Sequence, residues 1–171
     1  MQAETVLSAA ELRALWLEMA SDERLVDPYE LTEHGEIVMS PRPTNRHQIA
    51  CSMLAAQIQQ KLGAMVVVEA AVLTKTAGVR VPDLVWMPAE RWSGVMASGA
   101  LVESPDLVVE VLSPGNRAGE IRHKVRAHLD SGTREVVVVG LDGSMRYQRA
   151  DGVHAESSFA LALALPSELL T

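Results

Sequence analysis

Three carboxylates stand where strands built only for stability would carry apolar side chains. Asp83 interrupts Val79-Arg80-Val81-Pro82-Asp83-Leu84-Val85-Trp86, Glu110 interrupts Leu107-Val108-Val109-Glu110-Val111-Leu112, and Glu69 follows Val66-Val67-Val68. A carboxylate in an apolar strand has to be solvated in a cleft, paired, or bound to a cation. Two such strands side by side bring two like charges together, and the repulsion favours a shared divalent ion held through oxygen. The plainer alternative for each acid is a solvated strand face or a turn, because exposed carboxylates are the rule.

Other polar groups are candidates with ordinary alternatives. Glu120 and Lys124 are spaced i,i+4 on one helical segment, in the favourable order for a surface ion pair. His47 and Cys51 share a helical face in the same way, the beginning of a soft-metal pair that lacks a third ligand in register. Arg42, Arg46 and Arg80 are phosphate-contact candidates, though single arginines commonly just solvate a surface.

The elements that must position these groups follow from periodicity. Ser8 with Glu11 forms a capping box, and Leu12, Leu15, Trp16 and Met19 continue at helical spacing, so residues 8–20 read as a helix. Residues 28–40 read as a hairpin turning at His34-Gly35. Pro41 and Pro43 break the chain, and Thr44 or Asn45 caps a helix with Ile49, Met53, Ala56, Ile58 and Leu62 on its apolar side, ending at Gly63. The runs 65–73, 79–87 and 107–112 are β-branched and of strand length, and 88–104 reads as a loop. Residues 117–131 return to helical spacing, and 135–141 is a valine run typical of a strand covered on both faces. Asp142-Gly143 and Asp151-Gly152 signal hairpins, while the apolar tail 160–170 stays undecided. A helix between two apolar strands implies a crossover and parallel pairing, hence an α/β (α+β) fold with a mixed central sheet flanked by helices.

Bulk properties fit that reading. The chain has 171 residues, 48% apolar and 22% charged, ordinary values for one globular domain over 1–171 with an N-terminal helical extension over 1–24. No apolar run reaches the roughly 18–20 residues of a membrane helix, and the N-terminus lacks the order of a signal peptide, so the expected location is cytoplasmic. The single cysteine, Cys51, excludes an internal disulfide. A net charge of −7 argues at first against nucleic acid. Residues 1–40 carry nine acids against Arg13 and Arg24, which accounts for the whole excess and leaves 41–171 balanced at 13 against 13.

The run Gly78-Val79-Arg80-Val81-Pro82-Asp83-Leu84-Val85, followed by Pro105-Asp106-Leu107-Val108-Val109-Glu110-Val111-Leu112-Ser113-Pro114, resembles the Uma-type putative restriction endonucleases of the PD-(D/E)xK nuclease superfamily. The spacing to Lys124 and Gly132 matches as well, and the resemblance covers roughly 25–150. It implies a restriction endonuclease-like fold with a four- or five-stranded mixed core sheet and a magnesium-type phosphodiesterase centre. Asp83 matches the motif aspartate and Glu110 its second acid. These two, with a backbone carbonyl near Val111 and with Glu69 completing the shell, would hold Mg²⁺ or Mn²⁺. Leu112 stands where the superfamily has lysine, and Lys124 stands where the Uma-type branch carries it. His128 replaces an aromatic residue, and Val136-Val137 replaces a Tyr-Trp pair. His47 opens the helix beside the cleft, where it would support the ligands or touch phosphate.

Two functions follow from different classes. One is a metal-dependent endonuclease acting on nucleic acid, DNA by preference, working as a homodimer because duplex cleavage needs two cuts. The other is a catalytically silent nucleic-acid- or protein-binding domain that keeps the fold. The tail 159–165 is offered as a dimer interface, an edge strand or a cover for the core.

Overall fold

The computed structural model describes residues 5–25, 28–40 and 42–170. The break expected at Pro41 and the first four residues of the N-terminal extension lie outside the described residues. Ser8 caps helix α1 (Ala9–Ala20) through the reciprocal bonds of a capping box with Glu11. Its Leu12 and Met19 pack against Leu31 and Val79. Strands β1 (Tyr29–Leu31) and β2 (Ile37–Met39) form the expected hairpin, whose turn uses Gly35 at φ +81°.

Helix α2 (Asn45–Leu62) starts at Thr44, whose hydroxyl accepts from the His47 N–H, and stops at Gly63. Its covered side agrees with the expected one at Ile58 and Leu62 and differs from it at Ile49, Met53 and Ala56. Ala50, Cys51, Leu54 and Ile58 are buried, while Ile49 and Met53 remain 50% and 37% exposed. Two adjacent apolar stripes run along this helix, and periodicity cannot tell which of them will meet a sheet.

The long β runs do not make one sheet. The first splits into β3 (Val66–Val68) and β4 (Val72–Leu73), and the second into β5 (Val79–Arg80) and β6 (Leu84–Trp86). A third passage runs through β7 (Val102–Glu103) into β8 (Leu107–Val111). Each break has a local cause: Glu69 at φ +53°, Pro82 without an N–H, and Ser104 at φ +45° before Pro105. The chain therefore passes repeatedly between a five-stranded mixed sheet, ordered β2-β1-β5-β4-β7, and a six-stranded mixed sheet. The latter is ordered β11-β10-β9-β8-β6-β3, with β9 (Glu135–Val139), β10 (Met145–Arg149) and β11 (Gly152–His154). The expected mixed α+β fold with flanking helices is present, its strands divided between two mixed sheets.

The region expected as a loop contains α3 (Ala89–Ser98), on which Trp92 is buried and donates from Nε1 to the Met65 carbonyl at 3.0 Å. Gly94 and two serines weaken its helical signal, and the packing of Trp92 and Val95 on Val72, Val85 and Val102 overrides that. Helix α4 (Ala118–Asp130) is the crossover between the parallel strands β8 and β9. It covers Val108, Val136 and Val138 with Ile121, Val125 and Leu129. On the opposite face, Leu107, Val109, Val137 and Val139 pack with the buried side of α2. The valine run is thus covered on both faces, as its composition requires.

The tail is a cover for the core, not a free surface. Leu161 is buried, Phe159 meets Trp86 edge-on at 5.6 Å, and Gln57 exchanges two hydrogen bonds with the backbone of Ala164. No helix among the described residues is long and apolar enough to cross a membrane.

Candidate functional site

Asp83 lies one residue before β6, and extending the antiparallel register Leu84↔Val109 by one step sets it opposite Glu110 on β8. The Val111 N–H donates to Asp83 Oδ2 at 2.6 Å, which fixes the carboxylate at the strand edge. Extending the register Val68↔Leu84 likewise brings Glu69 beside Asp83, and the Glu69 N–H donates to the Asp83 carbonyl at 3.1 Å. Strand register thus brings the three acids together. All three acids line one cleft of about 810 Å³, together with Glu30, His47, Arg80 and Lys124.

Glu110 is 5% exposed, and its Oε1 has no hydrogen-bond partner. Burial pushes its carboxyl up to about 8, with Asp83 and Glu30 acting in the same direction and Lys124 and His47 against it. A buried carboxyl oxygen without a partner is an unmet polar demand inside the cleft. Lys124 comes to the cleft from α4, and its amine donates to Glu30 Oε1 at 3.0 Å. Desolvation alone would lower this amine, but the negative charges of Glu110, Glu30 and Asp83 outweigh it and raise the pKa. The surface partner expected from spacing, Glu120, instead accepts from the Arg117 N–H at 3.4 Å in a cap.

Glu30 is the residue that sequence reasoning missed. It is 3% exposed and receives Lys124, the Arg80 Nη1 at 3.0 Å and the Val81 N–H at 3.0 Å. Burial works to raise its pKa, and Lys124, the Val81 bond and Arg80 together hold it below the usual carboxylate value. The available signal was the same as for the other acids, a carboxylate between apolar neighbours in the strand Tyr29-Glu30-Leu31.

His47 reaches the same edge from the first turn of α2. Its Nε2 lies 3.3 Å from Asp83 Oδ1 and 3.1 Å from the Val111 carbonyl, and its Nδ1 lies 3.6 Å from Cys51 Sγ. The Asp83 contact and then the Cys51 contact raise it to about 10, against the effect of its partial burial. This arrangement favours the protonated form of His47.

Arg80 lines the cleft but is committed to Glu30. Arg46, expected near the cleft, instead turns from α2 to the tail and donates to the Glu168 carbonyl at 3.3 Å. Glu69 lines the cleft and accepts from Gln48 Nε2 at 3.4 Å. His128, four residues after Lys124 on α4, is fully buried, neither ring nitrogen has a partner, and desolvation lowers its pKa to about 4.

Comparison with known proteins adds two findings. A family model described as Uma2, putative restriction endonuclease, matches residues 17–167. Among solved structures, the crystal structure of a putative nuclease of the DUF820 group from Anabaena variabilis is similar in fold. Its TM-score is 0.65 at 20% identity, covering 83% of this chain and 90% of that one. No curated protein matches the chain.

Proposed function

This chain belongs to the Uma2 family of putative restriction endonucleases, and from that membership we propose that its cleft is a divalent-metal-dependent phosphodiesterase centre acting on nucleic acid, DNA first. The observation that carries the reading is the buried Glu110 carboxylate with an unpartnered Oε1, set opposite Asp83 in a cleft that also holds a lysine. Asp83, Glu110 and the Val111 carbonyl are hard oxygen donors and fit Mg²⁺ or Mn²⁺, with Glu69 available to complete the shell. When bound, such an ion supplies Lewis-acid charge to a phosphodiester and to an attacking water.

The chain's own residues do the rest. The Val111 N–H orients Asp83, and Glu30 holds the Lys124 amine at the cleft. Lys124 remains protonated and offers its charge to a phosphate oxygen as negative charge develops there. His47, as a donor, keeps the Asp83 carboxylate and the Val111 carbonyl aligned at the strand edge. Arg80 pairs with the same Glu30 that holds Lys124.

The test is cleavage of supercoiled plasmid and of single-stranded DNA and RNA with Mg²⁺ or Mn²⁺. Cleavage is expected in the wild type and not in Asp83→Ala. Metal-dependent binding without cleavage supports the silent binding domain instead. We place the protein in the cytoplasm and as a homodimer. With the tail packed on the core, that dimer needs another surface, and light scattering showing a monomer at high concentration removes it.

A further inference from the structure

On α2, His47 and Cys51 form an i,i+4 pair that lacks a third ligand in sequence. The fold supplies one. Among the described residues, His47, Cys51 and Asp83 are the only trio of histidine, cysteine or carboxylate donors whose ligand atoms lie within 4.8 Å of one another. Glu110 and Glu69 are not part of it. We infer that this trio is a binding site for a thiophilic divalent cation of the zinc or cadmium class, sharing only Asp83 with the carboxylate centre and therefore exclusive with it.

Ligand chemistry argues for the separation. Thiolate and imidazole favour zinc and its softer relatives, whereas carboxylate and carbonyl oxygens favour magnesium and manganese. Distances agree on the helix side. Tetrahedral zinc with bonds of about 2.3 Å to sulfur and about 2.0–2.1 Å to nitrogen places those two atoms roughly 3.6 Å apart. Cys51 Sγ and His47 Nδ1 are already 3.6 Å apart.

The other ring nitrogen is placed as metal sites require. A histidine that binds metal through one nitrogen usually donates its second N–H to a carboxylate or carbonyl, which fixes ring and tautomer. Here Nε2 faces the Val111 carbonyl at 3.1 Å, leaving Nδ1 for the ion. Asp83 must give up its Nε2 contact and close on the ion, and His47 lines the cleft through which a fourth, water ligand enters. Cys51 is 1% exposed and is a free thiol, so no disulfide competes for it. The proton balance is simple: the ion replaces the thiol proton of Cys51 and the Nδ1 proton of the His47 imidazolium, and both protons leave to solvent.

Sharing Asp83 makes the two ions competitors, so zinc would switch off a magnesium- or manganese-dependent centre. That consequence alone rests on the proposed function. The binding itself is read without any cleavage, by titrating the full-length protein with Co²⁺ and recording near-ultraviolet absorption. A thiolate-to-cobalt charge-transfer band is expected in the wild type. It should vanish in both Cys51→Ala and Cys51→Ser, with Zn²⁺ affinity lower by at least about tenfold, comparable to losing a support for a ligand. Glu110→Gln should retain the band, because Glu110 is outside the trio. Absence of the band in the wild type, its persistence without the Cys51 sulfur, or its loss in Glu110→Gln each overturns the inference. Thermal unfolding of each variant verifies that the folded protein is being titrated, and the wild-type spectrum decides the matter even where a variant does not fold.

Discussion

Lys124 Nζ and Glu30 Oε1 meet at 3.0 Å across 94 positions of sequence, joining the crossover helix α4 to the N-terminal hairpin. Glu30 also carries Arg80, so one buried carboxylate holds two cations. Glu30→Gln keeps the shape but removes that charge, leaving Arg80 buried and unpaired. Urea unfolding is expected to show a loss of about 3–5 kcal/mol, the cost of breaking a buried ion pair from one side. A loss under about 1 kcal/mol, the level of a surface pair, would show that the cluster is solvated.

Lys124→Met removes the cation while keeping the stem that lies along α4. Single-turnover cleavage with Mn²⁺ is expected to fall by about 10²-fold or more, the usual size for a lost charge stabiliser. Mn²⁺ affinity should stay near the wild-type value. A variant that cuts as fast as wild type makes Lys124 a structural partner of Glu30 and nothing more.

Glu110→Gln should separate stability from binding. The wild-type carboxyl is raised to about 8, so its contribution to stability is fully present below the ordinary carboxylate value and is lost as the pH rises through 8. In the metal-free protein at pH 8.5, the variant should therefore be more stable, by something on the order of 2 kcal/mol. Mn²⁺ should raise the Tm of the wild type and leave that of the variant unchanged. Equal Mn²⁺ shifts in both proteins would remove Glu110 from the ligand set.

His128 titrates in the other direction. Burial lowers it to about 4, with Glu30 opposing that shift and Lys124 and Arg80 adding to it. Its contribution to stability is present above the ordinary histidine value near 6.5 and is lost as the pH falls toward 4. Denaturant midpoints measured across that interval should fall by an amount worth about 3 kcal/mol. His128→Phe should flatten this acid limb and, by removing two unpartnered nitrogens, stabilise the protein at pH 5.

Gly78 seats β1, and hence Glu30, against β5. It sits at φ +75°, and a Cβ there would lie 2.2 Å from the Leu31 carbonyl oxygen and 2.4 Å from the Thr32 carbonyl carbon. Because the obstacle is backbone, it cannot rotate away. Gly78→Ala is expected to lower stability by more than about 1 kcal/mol and to loosen the Lys124–Glu30 contact. Amide exchange at Val79, whose residue pairs with Leu31, is the local measure, and unchanged protection there would count against this account.

The amino-acid sequence by itself determined the acids at 69, 83 and 110, the α/β order of elements, the capped α1, the hairpins and the doubly covered strand at 135–139. Those features are local: capping, turn chemistry and alternation act within a few residues and leave their mark in composition. It also pointed the Lys124 amine toward Asp83 and Glu110, but not to Glu30, which holds it. Tertiary structure decided the partners. Whether α2 buries Ile49 or Leu54 depends on which stripe meets the sheet, and a run such as Val79–Trp86 reads as one strand although Pro82 divides it between two sheets. Glu30, His47, Asp83 and Lys124 come from four separate elements or their edges. Their charges interact through distances that exist only after the sheets have bent and the helices have docked, since Coulomb attraction and burial depend on position in space and not on separation along the chain.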